Sequence, residues 1–125
     1  MTLKEAIASV DGLKANQYSS AQKVKWLNDC DFAVYSNIIA KHDLPDGMPD
    51  AFVPYSEEDM DRQMLVKAPH DVMYKHYLEM QIDLYNKELT NYNNSARLYN
   101  TALSDFSNWY TRNNMPKQRA THFKL

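Results

Sequence analysis

The fold of this chain is decided by residues 92–110, which read YNNSARLYNTALSDFSNWY. Apolar and aromatic side chains recur there at steps of four and three: Tyr92, Ala96, Tyr99, Leu103, Phe106 and Tyr110. This heptad spacing is typical of a long helix that buries one stripe of side chains. Proline cannot continue a helix, so the pattern is expected to end before Pro116.

Three further helices are predicted before this one. Thr2 and Glu5 form a capping box at the start of a short first helix. Ser19 or Ser20 caps a second helix, and Asp71 caps a third. The chain has only two glycines, which disfavours a β fold built on tight turns. The sequence therefore predicts an all-α fold, a small bundle of about four helices.

A long proline-containing loop is predicted between the second and third helices. Residues 43–69, here called the connecting segment, contain four of the five prolines. Within it, residues 51–53 and 64–66 are short apolar runs that can pair as a β-hairpin. Seven carboxylates and no lysine or arginine lie between residues 43 and 61. Long connections of this kind are often functional.

The charge of the chain is divided between a body and a tail. The formal net charge is −2, but residues 1–105 carry ten basic and 16 acidic side chains, whereas residues 106–125 carry four basic and no acidic ones. Such asymmetry often marks an interaction tail. We predict one helical domain over residues 1–116 and a basic C-terminal tail over residues 117–125.

The sequence favours a protein of the cell interior. We see no secretory signal at the N-terminus and no apolar run of about 20 residues that could span a membrane. The chain has one cysteine, Cys30, which cannot form an internal disulfide. We therefore expect a soluble intracellular product that does not associate with membranes.

No catalytic, metal or cofactor site is predicted. His76 and Glu79 lie three residues apart on a helix, but zinc needs three or four converging ligands. Cys30 is more simply a buried filler than a nucleophile. The tyrosines of the last two helices suit core or subunit packing better than base stacking. The basic tail can meet phosphates or an acidic protein surface.

Several strings, read together, resemble a known family. They are YSEEDMD at residues 55–61, LVKAPHD at 65–71, the Tyr, Leu, Gln, Ile and Asp pattern at 74–83, YNNS at 92–95 and NWYTR at 108–112. The succession resembles the head–tail connector proteins, also called adaptors or head-completion proteins, of tailed phages and of prophages in Gram-positive bacteria.

The resemblance implies a structural virion protein without enzymatic activity. Its members are helical bundles that assemble as a ring, typically dodecameric, beneath the portal protein. The ring extends the channel through which double-stranded DNA passes, and it links the portal to the stopper or tail-completion protein. The expected location is the neck of the virion, and the host cytoplasm during assembly.

The resemblance also assigns roles to surfaces. The basic residues of the C-terminal segment would contact the portal: Arg112, Lys117, Arg119 and Lys124. The connecting segment would face a neighbouring subunit or the channel through Asp46, Asp50, Phe52, Tyr55, Glu57, Glu58, Asp59 and Asp61. Independently of the resemblance, the heptad spacing of the last helix predicts a packing seam, in the core or between subunits, of Tyr92, Tyr99, Leu103, Phe106, Trp109 and Tyr110.

Two other functions remain open at this point. The first is a small DNA-binding component of the phage packaging machinery that uses the basic tail. The second, less favoured, is a metal-dependent enzyme. An acidic body would not grip DNA, because like charges repel, and this would let the strand slide through a channel.

Overall fold

The structure is a computed structural model, and it describes residues 1–12, 14 and 16–116. Within that range the chain forms α1 (Leu3–Asp11), α2 (Ser20–Asn37), α3 (Val72–Tyr85) and α4 (Leu89–Asn113). A single 3₁₀ turn, Ile39–Lys41, follows α2. The predicted all-α bundle of about four helices is confirmed. None of the described helices combines the length and the apolarity that a membrane span requires.

The first helix begins as its sequence predicts. Thr2 Oγ1 accepts from the backbone N–H of Glu5 at 3.2 Å, and Glu5 Oε1 accepts from the backbone N–H of Thr2 at 2.8 Å. This reciprocal capping box satisfies two amides that the helix cannot. The buried face of α1 is formed by Leu3, Ala6, Ile7 and Val10.

Helix α3 is the centre of the bundle, because it packs against each of the other three helices. Its buried side chains Met73, Tyr74, Leu78 and Ile82 are fully covered. Helix α4 packs mainly on α3 and follows it through a short turn. Lys87 in that turn has φ 61°, the left-handed conformation that is uncommon outside glycine.

Two ion pairs, each with one buried member, join the helices of the bundle. The carboxylate of Asp83 on α3 is fully buried, where it contacts Lys14 Nζ and accepts from Ser95 Oγ on α4 at 2.8 Å. Lys23 Nζ on α2, also buried, lies 2.6 Å from Asp11 Oδ1 at the end of α1. Each buried charge thus has a partner, which is what burial of an ion requires.

The expected β-hairpin in the connecting segment is not formed among the described residues. The end of the segment pairs instead with the N-terminus through an isolated antiparallel bridge between Thr2 and Gln63. Met64 N also donates to Met1 O at 3.0 Å. The next two amides, of Leu65 and Val66, donate to tyrosine hydroxyls, so they are not available to a partner strand.

Replacing the buried Leu78 by alanine should lower the free energy of unfolding by about 2–5 kcal/mol, because it leaves a cavity beside the central helix. Leu89→Ala is the matched control, since that side chain is 66% exposed and its loss should change stability by less than about 0.5 kcal/mol. Urea denaturation followed by circular dichroism measures both. Equal effects for the two variants would contradict this core.

Candidate interaction surfaces

A buried carboxylate attaches the connecting segment to the bundle. Asp31 on α2 is fully buried, and its Oδ2 accepts from the Tyr55 hydroxyl at 2.5 Å. Its Oδ1 accepts from the hydroxyl of Tyr74 on α3 at 2.8 Å. The three side chains, here called the Asp31 cluster, satisfy a charge that would otherwise be costly to bury.

The two hydroxyl oxygens of the Asp31 cluster also accept hydrogen bonds from backbone amides of the connecting segment. The Tyr55 hydroxyl accepts from Leu65 N at 3.1 Å, and the Tyr74 hydroxyl accepts from Val66 N at 2.8 Å. Each tyrosine therefore donates to the carboxylate and accepts from the segment. This arrangement fixes residues 65 and 66 against the core without a β-strand.

Asn28, one turn before Asp31 on α2, makes a second attachment. Its Oδ1 accepts from Tyr55 N at 2.7 Å, and its Nδ2 donates to Tyr55 O at 2.9 Å. A side-chain amide can replace a backbone peptide in this way because it carries both a donor and an acceptor. The connecting segment is thus held at residue 55 and again at residues 65 and 66.

Burial raises the pKa of Asp31 to about 6, although the hydroxyls of Tyr55 and Tyr74 and the charge of Arg62 act in the opposite direction. Burial, followed by the charge of Asp31, also raises the pKa of Tyr55 and Tyr74 above its ordinary range. At neutral pH the carboxyl is therefore ionised and both tyrosines are neutral donors.

Arg62 holds residues 53–59 of the connecting segment. Its guanidinium donates to Val53 O at 2.6 Å and to Pro54 O at 3.0 Å, and it lies 4.4 Å from the ring centre of Tyr55. It also lies 3.7 Å from Asp59 Oδ2. Arg62 thus stabilises the backbone of the connecting segment.

The structure divides the predicted residues of the connecting segment into two groups. Tyr55 is buried, Phe52 packs edge-on against it with 5.6 Å between ring centres, and Asp59 accepts from Ser56 N at 2.8 Å. These three support the segment. The remaining acidic residues are exposed on its surface: Asp46, Asp50, Glu57, Glu58 and Asp61.

Most of the predicted packing seam on α4 is buried within the chain's own core. Tyr99, Phe106 and Tyr110 are buried, whereas Tyr92 and Leu103 are half-buried. Trp109 differs, with 40% of its surface exposed.

Tyr99 also contacts the single cysteine of the chain. Its hydroxyl lies 3.7 Å from Cys30 Sγ. Burial raises the pKa of the Cys30 thiol, with a further contribution from the neighbouring Asp31 charge. The thiolate is the reactive form of cysteine, so this side chain is a poor nucleophile.

The outer face of α4 is polar but has little charge. The helix has six asparagines and only three charged residues, Arg97, Asp105 and Arg112. A solvated helix surface is more often made of lysine and glutamate, which are also better helix formers than asparagine. Interface cores, in contrast, are depleted in charged side chains. We call the exposed side that carries Asn93, Asn94, Asn100 and Asn108 the amide-rich face of α4.

An apolar cleft of about 340 Å³ lies between the connecting segment and the last turns of α4. Met48, Leu65 and Trp109 are among its lining residues, and Asn113 and Asn114 form one edge. We call it the α4 cleft. It is concave and mainly apolar, as binding clefts are, and Trp109 gives it an aromatic wall.

His42, which the sequence did not indicate, fixes the end of the described chain beside this cleft. Its Nδ1 lies 2.6 Å from Ile38 O, its Nε2 lies 3.2 Å from Thr111 Oγ1, and it forms a bridge with Pro116. Asp43 N donates to Met115 O at 2.8 Å.

The predicted portal-binding residues fall on both sides of the point where the described chain ends. Arg112 is exposed on the last turn of α4. Lys117, Arg119 and Lys124 lie outside the described residues.

The sequence indicates the Asp31 cluster only in part. Asp31 interrupts the apolar stripe of α2, and an acid at such a position signals a buried charge in need of donors. Nothing local identifies Tyr55 and Tyr74 as those donors. No group of three or more metal-ligating side chains occurs among the described residues.

The pH dependence of stability should report the Asp31 cluster. Since the pKa of Asp31 in the folded chain is raised from 3.8 to about 6, the folded chain binds this proton more tightly than the unfolded chain. The contribution of this group to the free energy of unfolding should therefore increase by about 1 kcal/mol as the pH falls from about 7 to about 5.

Asp31→Asn removes this titration, so the difference in unfolding free energy between wild type and variant should change by that amount over the same interval. Urea denaturation at the two pH values measures it. Asp29→Asn, the same substitution at an exposed neighbour on the same helix, is the matched control. A constant difference between wild type and Asp31→Asn would contradict the raised pKa.

The described surface offers a partner three features: the exposed acids of the connecting segment, the amide-rich face of α4 and the α4 cleft. No family model, curated protein or solved structure matches the chain. These surface features, together with the fold, are therefore the observations from which a function can be inferred.

Proposed function

We propose that this chain is a structural subunit of a phage head–tail connector, which assembles as a ring beneath the portal protein. The single observation that carries the proposal is the amide-rich face of α4. This helix is 25 residues long, about 37 Å, and it packs mainly on α3 alone. A long helix attached by one side and poor in charge on the other is suited to contact between subunits.

The ends of α4 carry two different apolar patches. On either side of the α3–α4 turn, Leu84, Tyr85 and Leu89 are 42%, 58% and 66% exposed. Near its C-terminus Trp109 and Met115 are 40% and 62% exposed. Leu89 and Trp109 are about 30 Å apart along the helix. Two unlike patches on one subunit favour a head-to-tail contact, and such contacts close into rings when the rotation permits.

The connecting segment suits a neighbour-facing or channel-facing role. It is held in place by the Asp31 cluster, Asn28 and Arg62, so its exposed carboxylates occupy fixed positions on the surface. Negative charge along a channel repels phosphates and so favours passage of DNA over binding. We assign the basic tail to the portal, since Arg112 extends the charge of residues 117–125 onto α4.

Placing charge on the face of α4 tests the ring. Asn100→Arg combined with Ser104→Arg puts two like charges on exposed positions of the same face, so assembly with the portal protein of the same phage should be lost. The melting temperature should hardly change. Electron microscopy of the mixture scores rings, and Ala8→Arg on the exposed side of α1 is the control. Rings formed by the double variant would refute this interface.

Deleting residues 117–125 tests the tail. The truncated chain should fold normally but lose portal binding in a pull-down, because three of its four C-terminal cations are removed. Unchanged portal binding would overturn the tail assignment while leaving the ring interface standing.

A shift of a labelled DNA duplex at low salt, abolished by the same deletion, would favour the DNA-binding alternative instead. Portal, capsid and tail genes beside the gene for this chain would support the connector.

A further inference from the structure

The amide-rich face of α4 carries two charges of opposite sign in a symmetric arrangement. Arg97 and Asp105 are both exposed, and they lie four residues before and four residues after Thr101, which is exposed as well. In an α-helix two such residues are about 12 Å apart along the axis and about 80° apart around it. Both charges therefore belong to the same exposed side of the helix.

The same centre relates two amides of this face. Asn94 and Asn108 lie seven residues before and seven residues after Thr101, and both are exposed. A side-chain amide carries donors and an acceptor, so two amides can bond to each other. A second α4 that runs in the opposite direction and is centred on Thr101 would therefore place amide against amide and each charge against its opposite.

The two charges are available to a second copy. Neither Arg97 nor Asp105 takes part in an ion pair among the described residues. Arg97 Nη2 donates to Asn94 Oδ1 at 2.6 Å, which leaves further guanidinium donors. Exposed side chains near the centre, Thr101 and Ser104, are short, and short side chains at a contact let two helix axes approach closely.

The charges also select the direction of the second helix. Two parallel copies in register would place Arg97 opposite Arg97 and Asp105 opposite Asp105, and like charges at an interface repel each other. Two antiparallel copies place Arg97 opposite Asp105 twice. The remaining charged residue of the helix, Arg112, would then lie opposite the neutral Thr90, so it adds no like-charge contact.

We propose that two copies of this chain pair through the amide-rich faces of α4, antiparallel about a two-fold axis at Thr101, with Arg97 of each copy beside Asp105 of the other. Such a pair uses the same surface on both copies and is closed, so it cannot grow into a longer assembly. The pairing concerns the free chain and goes beyond the connector proposal. If that proposal holds, the ring uses the same face, and the pair has to separate before the ring forms.

Charge exchange tests the pairing by sedimentation of the free chain. Arg97→Asp would face Asp105 twice, and Asp105→Arg would face Arg97 twice, so each variant alone should dimerise about tenfold more weakly than wild type. An equimolar mixture of the two variants should restore association, because each copy then meets the opposite charge at both positions. Lys25→Asp and Asp29→Arg, at an exposed ion pair on α2, are the controls and should dimerise as wild type does.

A cysteine at the proposed axis gives a second measurement. Helices packed at about 8–10 Å bring facing Cα atoms to about 4–6 Å, a separation that a disulfide can bridge. Thr101→Cys should therefore link to its own copy on mild oxidation. Asn94→Cys should not, because its two copies would be about 21 Å apart along the axis. The native Cys30 is buried and does not compete.

Three results would overturn the proposal. The first is a free wild-type chain that sediments as a monomer at every concentration. The second is a mixture of the two charge variants that associates no better than either variant alone. The third is cross-linking of Asn94→Cys as efficient as that of Thr101→Cys, which would indicate a parallel or unspecific contact. The portal protein enters none of these measurements, so failure of the pairing is distinguishable from failure of the connector proposal.

Discussion

The structure depends on one buried charge. Asp31 is an ionisable group at the centre of an otherwise apolar helix face, and it is tolerated because two tyrosine hydroxyls donate to it. Those hydroxyls then have lone pairs left for backbone amides, and the amides of Leu65 and Val66 use them. The hydroxyls that compensate for the desolvation of Asp31 therefore also fix the position of a long segment that has no regular structure.

The residues that hold the connecting segment in place are different from those that it exposes to solvent. Tyr55, Asn28 and Arg62 make the contacts that hold the connecting segment in place, whereas its acidic side chains are exposed to solvent. Helix α4 shows the same division, since its inner face is packed on α3 and its outer face carries amides and few charges. The exposed acids and amides therefore lie on rigid elements, and a rigid surface loses less conformational entropy on association.

The parts of the fold that local pattern encodes could be predicted from sequence. The capping box of Thr2 and Glu5 and the seam on α4 depend on residues three or four apart. The possible hairpin does not form, because the hydroxyls of Tyr55 and Tyr74 accept the hydrogen bonds of the amides of Leu65 and Val66, and no local pattern reveals this. Of the candidate sites, the exposure of the acids follows from composition, but the α4 cleft does not, since it joins the connecting segment to the end of α4.

The sequence separations within the Asp31 cluster bear on the order of folding. Asp31 bonds to side chains 24 and 43 residues away, whereas the α3–α4 hairpin is closed by a short turn. Closing long loops costs chain entropy before any contact repays it, so we expect the hairpin to form early and the cluster late. A newly made chain would then form its helices before its acidic surface takes shape, so that surface would be complete only in the fully folded chain.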